Sequence, residues 1–196
     1  AMAAQRKRSR SAAGSSGVDT GDTAELARSV LAEHGTTDFV GREVSSAQAT
    51  VIAVTPESIY LDRTPFYAES GGQVGDTGTI TTDTGTISVL DTVAPLPGLH
   101  LHRVSIDEGS VLVGQSVTAH IDEARRAAIR RNHTATHVLH WALRDVLGDH
   151  VRQQGSLVGP DRLRFDFSHR GAVIDDEMVR IEDPANTEIL SNGVVE

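Results

Sequence analysis

From Phe39 to His120 the chain carries only short apolar alternations, each soon interrupted by Gly, Asp or Thr, and residues 122–147 then run as one long helical pattern. This change of rhythm limits the fold more than any other feature. Short alternations bounded by turn formers are strand signals. They predict strands at Ala49–Val54, Ser58–Leu61, Gly78–Thr82, Gly85–Leu90, Leu99–Val104 and Ser116–His120, with a hairpin turn at Thr82-Asp83-Thr84-Gly85. A small, partly closed antiparallel barrel is the economical way to hide so many short edges. Eighteen Gly, six Pro and 4% aromatic residues agree with turn-rich β structure holding few large rings. The expected class is therefore α+β.

Outside the strand-rich stretch, a helix is expected from Asp22 through Leu31, with Gly35 at its end. In the long helix, Ala124, Ala128, Ala135, Leu139, Ala142 and Val146 fall opposite His133 and should face a core, and Gly148 should end it. Strands Ser156–Val158 and Leu163–Phe167 follow, joined at Gly159-Pro160-Asp161. A last helical pattern passes through Ile174, Met178, Ile181, Ala185 and Ile189, where Pro184 should introduce a kink. Residues 1–17 read as a basic tail. No run of 18 apolar residues and no charged-then-apolar leader occurs, so a soluble intracellular chain without a membrane partner is expected.

The absence of cysteine excludes disulfides and thiolate nucleophiles, and any metal must rest on His, Asp or Glu. The net charge of −9 is spread unevenly. Residues 121–170 hold nine Arg against six acids, whereas residues 18–120 hold four basic and fourteen acidic groups. A locally basic segment can attract phosphate on an acidic protein.

That basic segment contains the sharpest motif, Asn132-His133-Thr134-Ala135-Thr136-His137. A spacing of four sets two imidazoles on one helical face, where one metal can reach both, and His140 continues the stripe. Thr134 stands where a zinc protease would carry its Glu base, which disfavours peptide hydrolysis. From spacing alone, a solvent-facing helix with several His is an equal reading. A second motif runs Thr64-Pro65-Phe66-Tyr67-Ala68-Glu69-Ser70-Gly71-Gly72-Gln73, an aromatic anchor leading into a Gly-rich loop. Gly71 and Gly72 permit close backbone approach, and Gln73 offers a donor and an acceptor for orienting water or an ester carbonyl. A plain turn between strands is the competing reading. In Arg162–His169, Leu163, Phe165 and Phe167 share a core face, leaving Arg164, Asp166 and Ser168 on a polar face that could line a site. Arg125, Arg126, Arg130 and Arg131 could meet RNA phosphate or simply form a solvated face.

Taken together, the run Phe66–Gln73, the helix Arg131–His140 and the stretch Gly155–His169 resemble the editing region of bacterial alanyl-tRNA synthetases. The resemblance extends from about Phe39 to the C-terminus. It implies three parts: residues 1–35 ending a preceding tRNA-recognition region, a barrel over 36–120, and an α/β editing core over 121–196 of the type shared with threonyl-tRNA synthetases. It also implies hydrolysis of alanine tRNA mischarged with serine or glycine, with the acceptor end as partner. His133 and His137 become zinc ligands and, with Gln73, the catalytic set. Gly71, Gly72, Thr134, Arg131 and Asp166 become substrate-facing residues. The family completes its zinc site with a downstream Cys-x-x-x-His, so an incomplete metal site and an inactive or weakly active fragment are expected here. ATP and magnesium would belong to the parent enzyme's ligase domain. An RNA-contacting module without chemistry and a freestanding deacylase are the alternatives.

Overall fold

The computed structural model describes residues 21–191 and Gly193. The expected basic tail over 1–17 lies outside the described residues. The helices are α1 (Gly21–His34), α2 (Glu123–Leu147) and α3 (Asp175–Ser191). The strands are β1 (Asp38–Phe39), β2 (Ser46–Thr55), β3 (Ser58–Leu61), β4 (Arg63–Thr64), β5 (Gly78–Thr81), β6 (Thr86–Leu96), β7 (Leu99–Glu108), β8 (Ser116–Ile121), β9 (Arg152–Val158) and β10 (Leu163–Ser168). They form two compact units. Among the described residues, one comprises residues 21–68 together with Thr77–Ile121; the other comprises Glu69–Asp76 and residues 122–191 with Gly193. No helix among the described residues is long and apolar enough to cross a membrane.

The first unit is an antiparallel barrel that closes fully, in the order β2-β3-β7-β6-β5-β8. Closure pairs β5 with β8 and leaves the barrel without an open edge. The hairpin at Thr82–Gly85 forms as expected, with the Thr82 amide donating to the Gly85 carbonyl at 2.9 Å. Strand β6 continues past Leu90 to Leu96 because a register shift between Val89 and Asp91 breaks the alternation without ending the strand.

The same device gives the barrel two apolar surfaces. Val51 and Ala53, two residues apart, would share a face in a regular strand. A bulge between them places Val51 with Ile59, Leu61, Ile80 and Val117, while Ala53 joins Tyr60, Leu99 and Leu101 in a second cluster. Ala27 and Val30 of α1 complete that second cluster. Helix α1, expected to end a preceding region, is thus packed on a barrel strand face. Gly35 ends α1 at φ 76°, its amide donating to the Leu31 carbonyl at 3.0 Å.

In the second unit, Asp122 caps α2 by accepting from the Arg125 amide at 2.9 Å, and the Gly148 amide closes the far end on the Arg144 carbonyl at 2.9 Å. Ala142 and Leu143 pack with Val151 and Ile181, joined by Leu139, Val146, Phe165 and Phe167. Of the six residues expected on the core face, Leu139, Ala142 and Val146 are in this cluster, whereas Ala124 is exposed. Strands β9 and β10 pair antiparallel, with a shift between Asp166 and Phe167. Pro184 lies inside α3, where it has no amide to offer its own helix.

Candidate functional site

The eight residues Glu69–Asp76 form a tight loop within the second unit. Ser70 and Gln73 exchange backbone hydrogen bonds at 3.1 and 3.0 Å, and Gly71 and Gly72 adopt φ of 61° and 87° to make the turn. The loop is then stitched to the end of β9. The Val158 amide donates to the Gly72 carbonyl at 2.7 Å, and the Val74 amide donates to the Val158 carbonyl at 3.1 Å. Gly72 permits this approach, since a Cβ there would lie 2.5 Å from the Ser156 carbonyl oxygen.

Helix α2 holds the loop from its other end. The Arg126 guanidinium grips the Asp76 carboxylate through Nε and Nη2, with Nε 2.9 Å from both oxygens, and Arg125 donates to the Gly75 carbonyl at 2.8 Å. Asp76 is 1% exposed, so this ion pair replaces water around a buried carboxylate. Of the four arginines that could meet phosphate or form a solvated face, Arg125 and Arg126 are instead engaged in holding the loop. Arg130 and Arg131 are exposed. Spacing offered no sign of the Asp76–Arg126 pair, which joins positions 50 residues apart.

This clamp delivers Gln73 to the helix. Gln73 is 7% exposed, and its Oε1 accepts from His133 Nδ1 at 2.7 Å. An amide oxygen only accepts, so the shared proton sits on His133 Nδ1, and in the neutral ring the lone pair is on Nε2. His133 and His137 stack at a centroid distance of 5.1 Å and an interplanar angle of 19°. Both are exposed. Gln73 and His133, 60 residues apart in the chain, are thus joined by a hydrogen bond.

The other expected site residues are distributed around this pair. Thr134 is half-buried on α2, between the two histidines in sequence. Asn132 donates to the Gly159 carbonyl at 2.8 Å, fixing α2 against the β9–β10 turn. Asp166 pairs with Arg164 at 3.1 Å. His140 departs from the stripe: its ring packs on Phe165 at 5.0 Å, and Nε2 is buried without a hydrogen-bond partner. Beside the pair lies an open groove of about 640 Å³, lined among others by His137, His140, Trp141 and Arg144.

The chemistry of the donors suits zinc, since two neutral imidazoles one turn apart supply half of a tetrahedral set. Among the described residues no group of three or more His, Asp or Glu gathers to hold a metal. The Gln73 contact supplies the outer hydrogen bond that commonly orients a metal-binding imidazole.

Comparison with known proteins gives a consistent picture. The model of the family tRNA synthetases class II (A) matches residues 1–125. An alanine--tRNA ligase of Cereibacter sphaeroides is 46% identical over 209 residues, covering 100% of this chain and 23% of the relative. One from Rhizobium meliloti is 42% identical over 206 residues, covering 98% and 23%. One from Sorangium cellulosum is 55% identical over 137 residues, covering 70% and 15%. The chain therefore spans about a quarter or less of the length of these curated relatives.

Proposed function

Because this chain belongs to the class II (A) tRNA synthetases, we propose that its second unit hydrolyses the aminoacyl ester of alanine tRNA mischarged with serine or glycine. The hydrogen bond between Gln73 and His133 carries this reading. It joins the two motifs that the alanyl-tRNA synthetase resemblance assigns to editing, and it leaves one imidazole nitrogen free to act. A separate hydrolytic step is physically reasonable for an alanine enzyme. A pocket sized for alanine cannot exclude glycine by bulk, and serine differs by one hydroxyl.

Gln73 holds the His133 ring in the tautomer whose Nε2 can accept a proton from an attacking water. In the metal-bound alternative that nitrogen and His137 would hold zinc, which supplies Lewis-acid polarisation of an ester carbonyl or of water. Gly71 and Gly72 bring backbone close to the substrate and Thr134 shapes the pocket between the histidines. Arg131 contacts phosphate of the acceptor end, and Asp166 lines the polar face of β10. Attachment of alanine with ATP and magnesium belongs to the rest of the parent enzyme, and the cytoplasm is where such an enzyme works. The parts expected at 1–35, 36–120 and 121–196 stand as the proposed division of the chain, with residues 69–76 serving the third.

The test is deacylation of alanine tRNA charged with serine, with zinc supplied, by this chain and by one extended through the family's Cys-x-x-x-His. His133→Ala and Gln73→Ala should each lower hydrolysis at least about 100-fold in the more active form. Undiminished turnover by His133→Ala overturns the assignment. The exposed Arg130 and Arg131 favour one second reading, an RNA-contacting module. Salt-dependent tRNA binding without hydrolysis by either chain would select it.

A further inference from the structure

A second pair of histidines lies at the other end of the β9–β10 hairpin and plays no part in the site above. His150 Nε2 and His169 Nδ1 are 2.9 Å apart, and their rings stack at 5.1 Å and 26°. His150 is exposed and His169 is partly exposed, so the pair lies at the surface.

Both rings are carried on fixed backbone. The Val151 amide closes a turn on the Gly148 carbonyl at 3.1 Å, and Val151 itself is fully buried. Ser168 stands opposite Arg152 in the strand pairing, and its hydroxyl accepts from the Arg152 amide at 3.2 Å. The two histidines, each adjacent to one of these anchors, meet with little conformational freedom left to lose.

Imidazole nitrogen suits Cu(II), Ni(II) and Zn(II), and among divalent first-row ions the affinity of such donors rises to a maximum at Cu(II). Two imidazole nitrogens 2.9 Å apart are close enough for one ion to reach both after small rotations of the rings. We propose that His150 and His169 form a binding site for a divalent transition ion of tetragonal preference, Cu(II) or Ni(II), with solvent completing the coordination.

Binding needs two internal rearrangements. In the hydrogen-bonded pair one of the facing nitrogens carries a proton, which moves to the other nitrogen of the same ring without changing the charge of either imidazole. The rings then turn so that the two lone pairs converge on the ion instead of on each other.

The test is titration of the whole chain with Cu(II) in a non-chelating buffer, read by paramagnetic broadening of backbone amide signals. Amides of residues 150–152 and 168–170 should broaden at substoichiometric metal, separately from any broadening around His133 and His137. His169→Gln and His150→Gln should each weaken metal binding at the hairpin at least ~10-fold, because chelation by two groups becomes binding by one. Broadening around His133 should persist in both variants. Broadening confined to α2 in the unsubstituted chain, or hairpin broadening unchanged in both variants, overturns the proposal.

Discussion

Acidification from pH 7 to pH 5 should weaken the barrel through His102. Its ring is fully buried, with Nδ1 3.0 Å from the Ile59 carbonyl and Nε2 2.8 Å from the Thr64 hydroxyl. The carbonyl can only accept, so Nδ1 carries the proton and in the neutral ring Nε2 accepts from Thr64; a second proton would reverse that bond, making the hydroxyl the acceptor, and place a charge in the core. Burial pushes the pKa from 6.5 down to about 4, opposed by the Ile59 hydrogen bond and assisted by the nearby His100. Between those values the unfolded chain binds a proton that the folded chain refuses, so stability rises with pH. The contribution is complete above the unfolded value and is lost as pH falls towards the folded one. At ~1.4 kcal/mol per pKa unit, the loss at pH 5 is about 2 kcal/mol. Urea unfolding at the two pH values measures it, with His102→Gln as the control that keeps a donor and an acceptor but does not titrate. The unsubstituted chain should lose about 2 kcal/mol more than the variant. Equal losses, or an imidazole signal assigned to His102 that titrates above pH 6, would refute the argument.

Two further predictions concern the loop Glu69–Asp76. Gly71→Ala meets no atom within 4 Å and should cost only the strain of its positive φ, about 1 kcal/mol. Gly72→Ala adds a collision with the Ser156 backbone, so thermal unfolding should show it roughly 2 kcal/mol worse than Gly71→Ala; similar melting temperatures would contradict the stitched loop. Asp76→Ala removes the carboxylate that the mostly buried Arg126 guanidinium grips and should cost roughly 3–5 kcal/mol. Asp38→Ala, whose partner Arg63 is half exposed, should cost no more than about 1 kcal/mol; denaturant unfolding that ranks the two equally would refute the distinction.

Local chemistry made much of this fold legible. Ser58–Leu61 is a strand over the expected residues, Gly148 ends α2 as expected, and the helix begins at Glu123, one residue after the expected start. The spacing of His133 and His137 put both on one face, and their rings do stack. What remained hidden depends on partners distant in sequence. Bulges between Val51 and Ala53 and between Val89 and Asp91 exchange the two faces of a strand, so alternation alone cannot report which residues lie under α1. The two-residue strands β1 and β4 are too short to carry a period. Arg125 and Arg130 look alike as residues on a basic helix; only the fold shows that one donates to Gly75 while the other faces solvent. His150 and His169 carried no spacing signal at all, because a hairpin rather than a helix brings them together.

The partnership of residues 69–76 with a unit that otherwise begins at Asp122 has a consequence for protein engineering. No single cut isolates the second unit as a self-sufficient piece. A fragment starting at Asp122 would take the Asp76 carboxylate from Arg126 and deprive Val158 of its bonds to Gly72 and Val74. It would also leave His133 without Gln73. Grafting the histidine helix onto another scaffold therefore requires eight borrowed residues, joined by a new linker or supplied as a separate peptide. A library that shuffles sequence at the boundary near residue 121 would separate the parts it intends to combine.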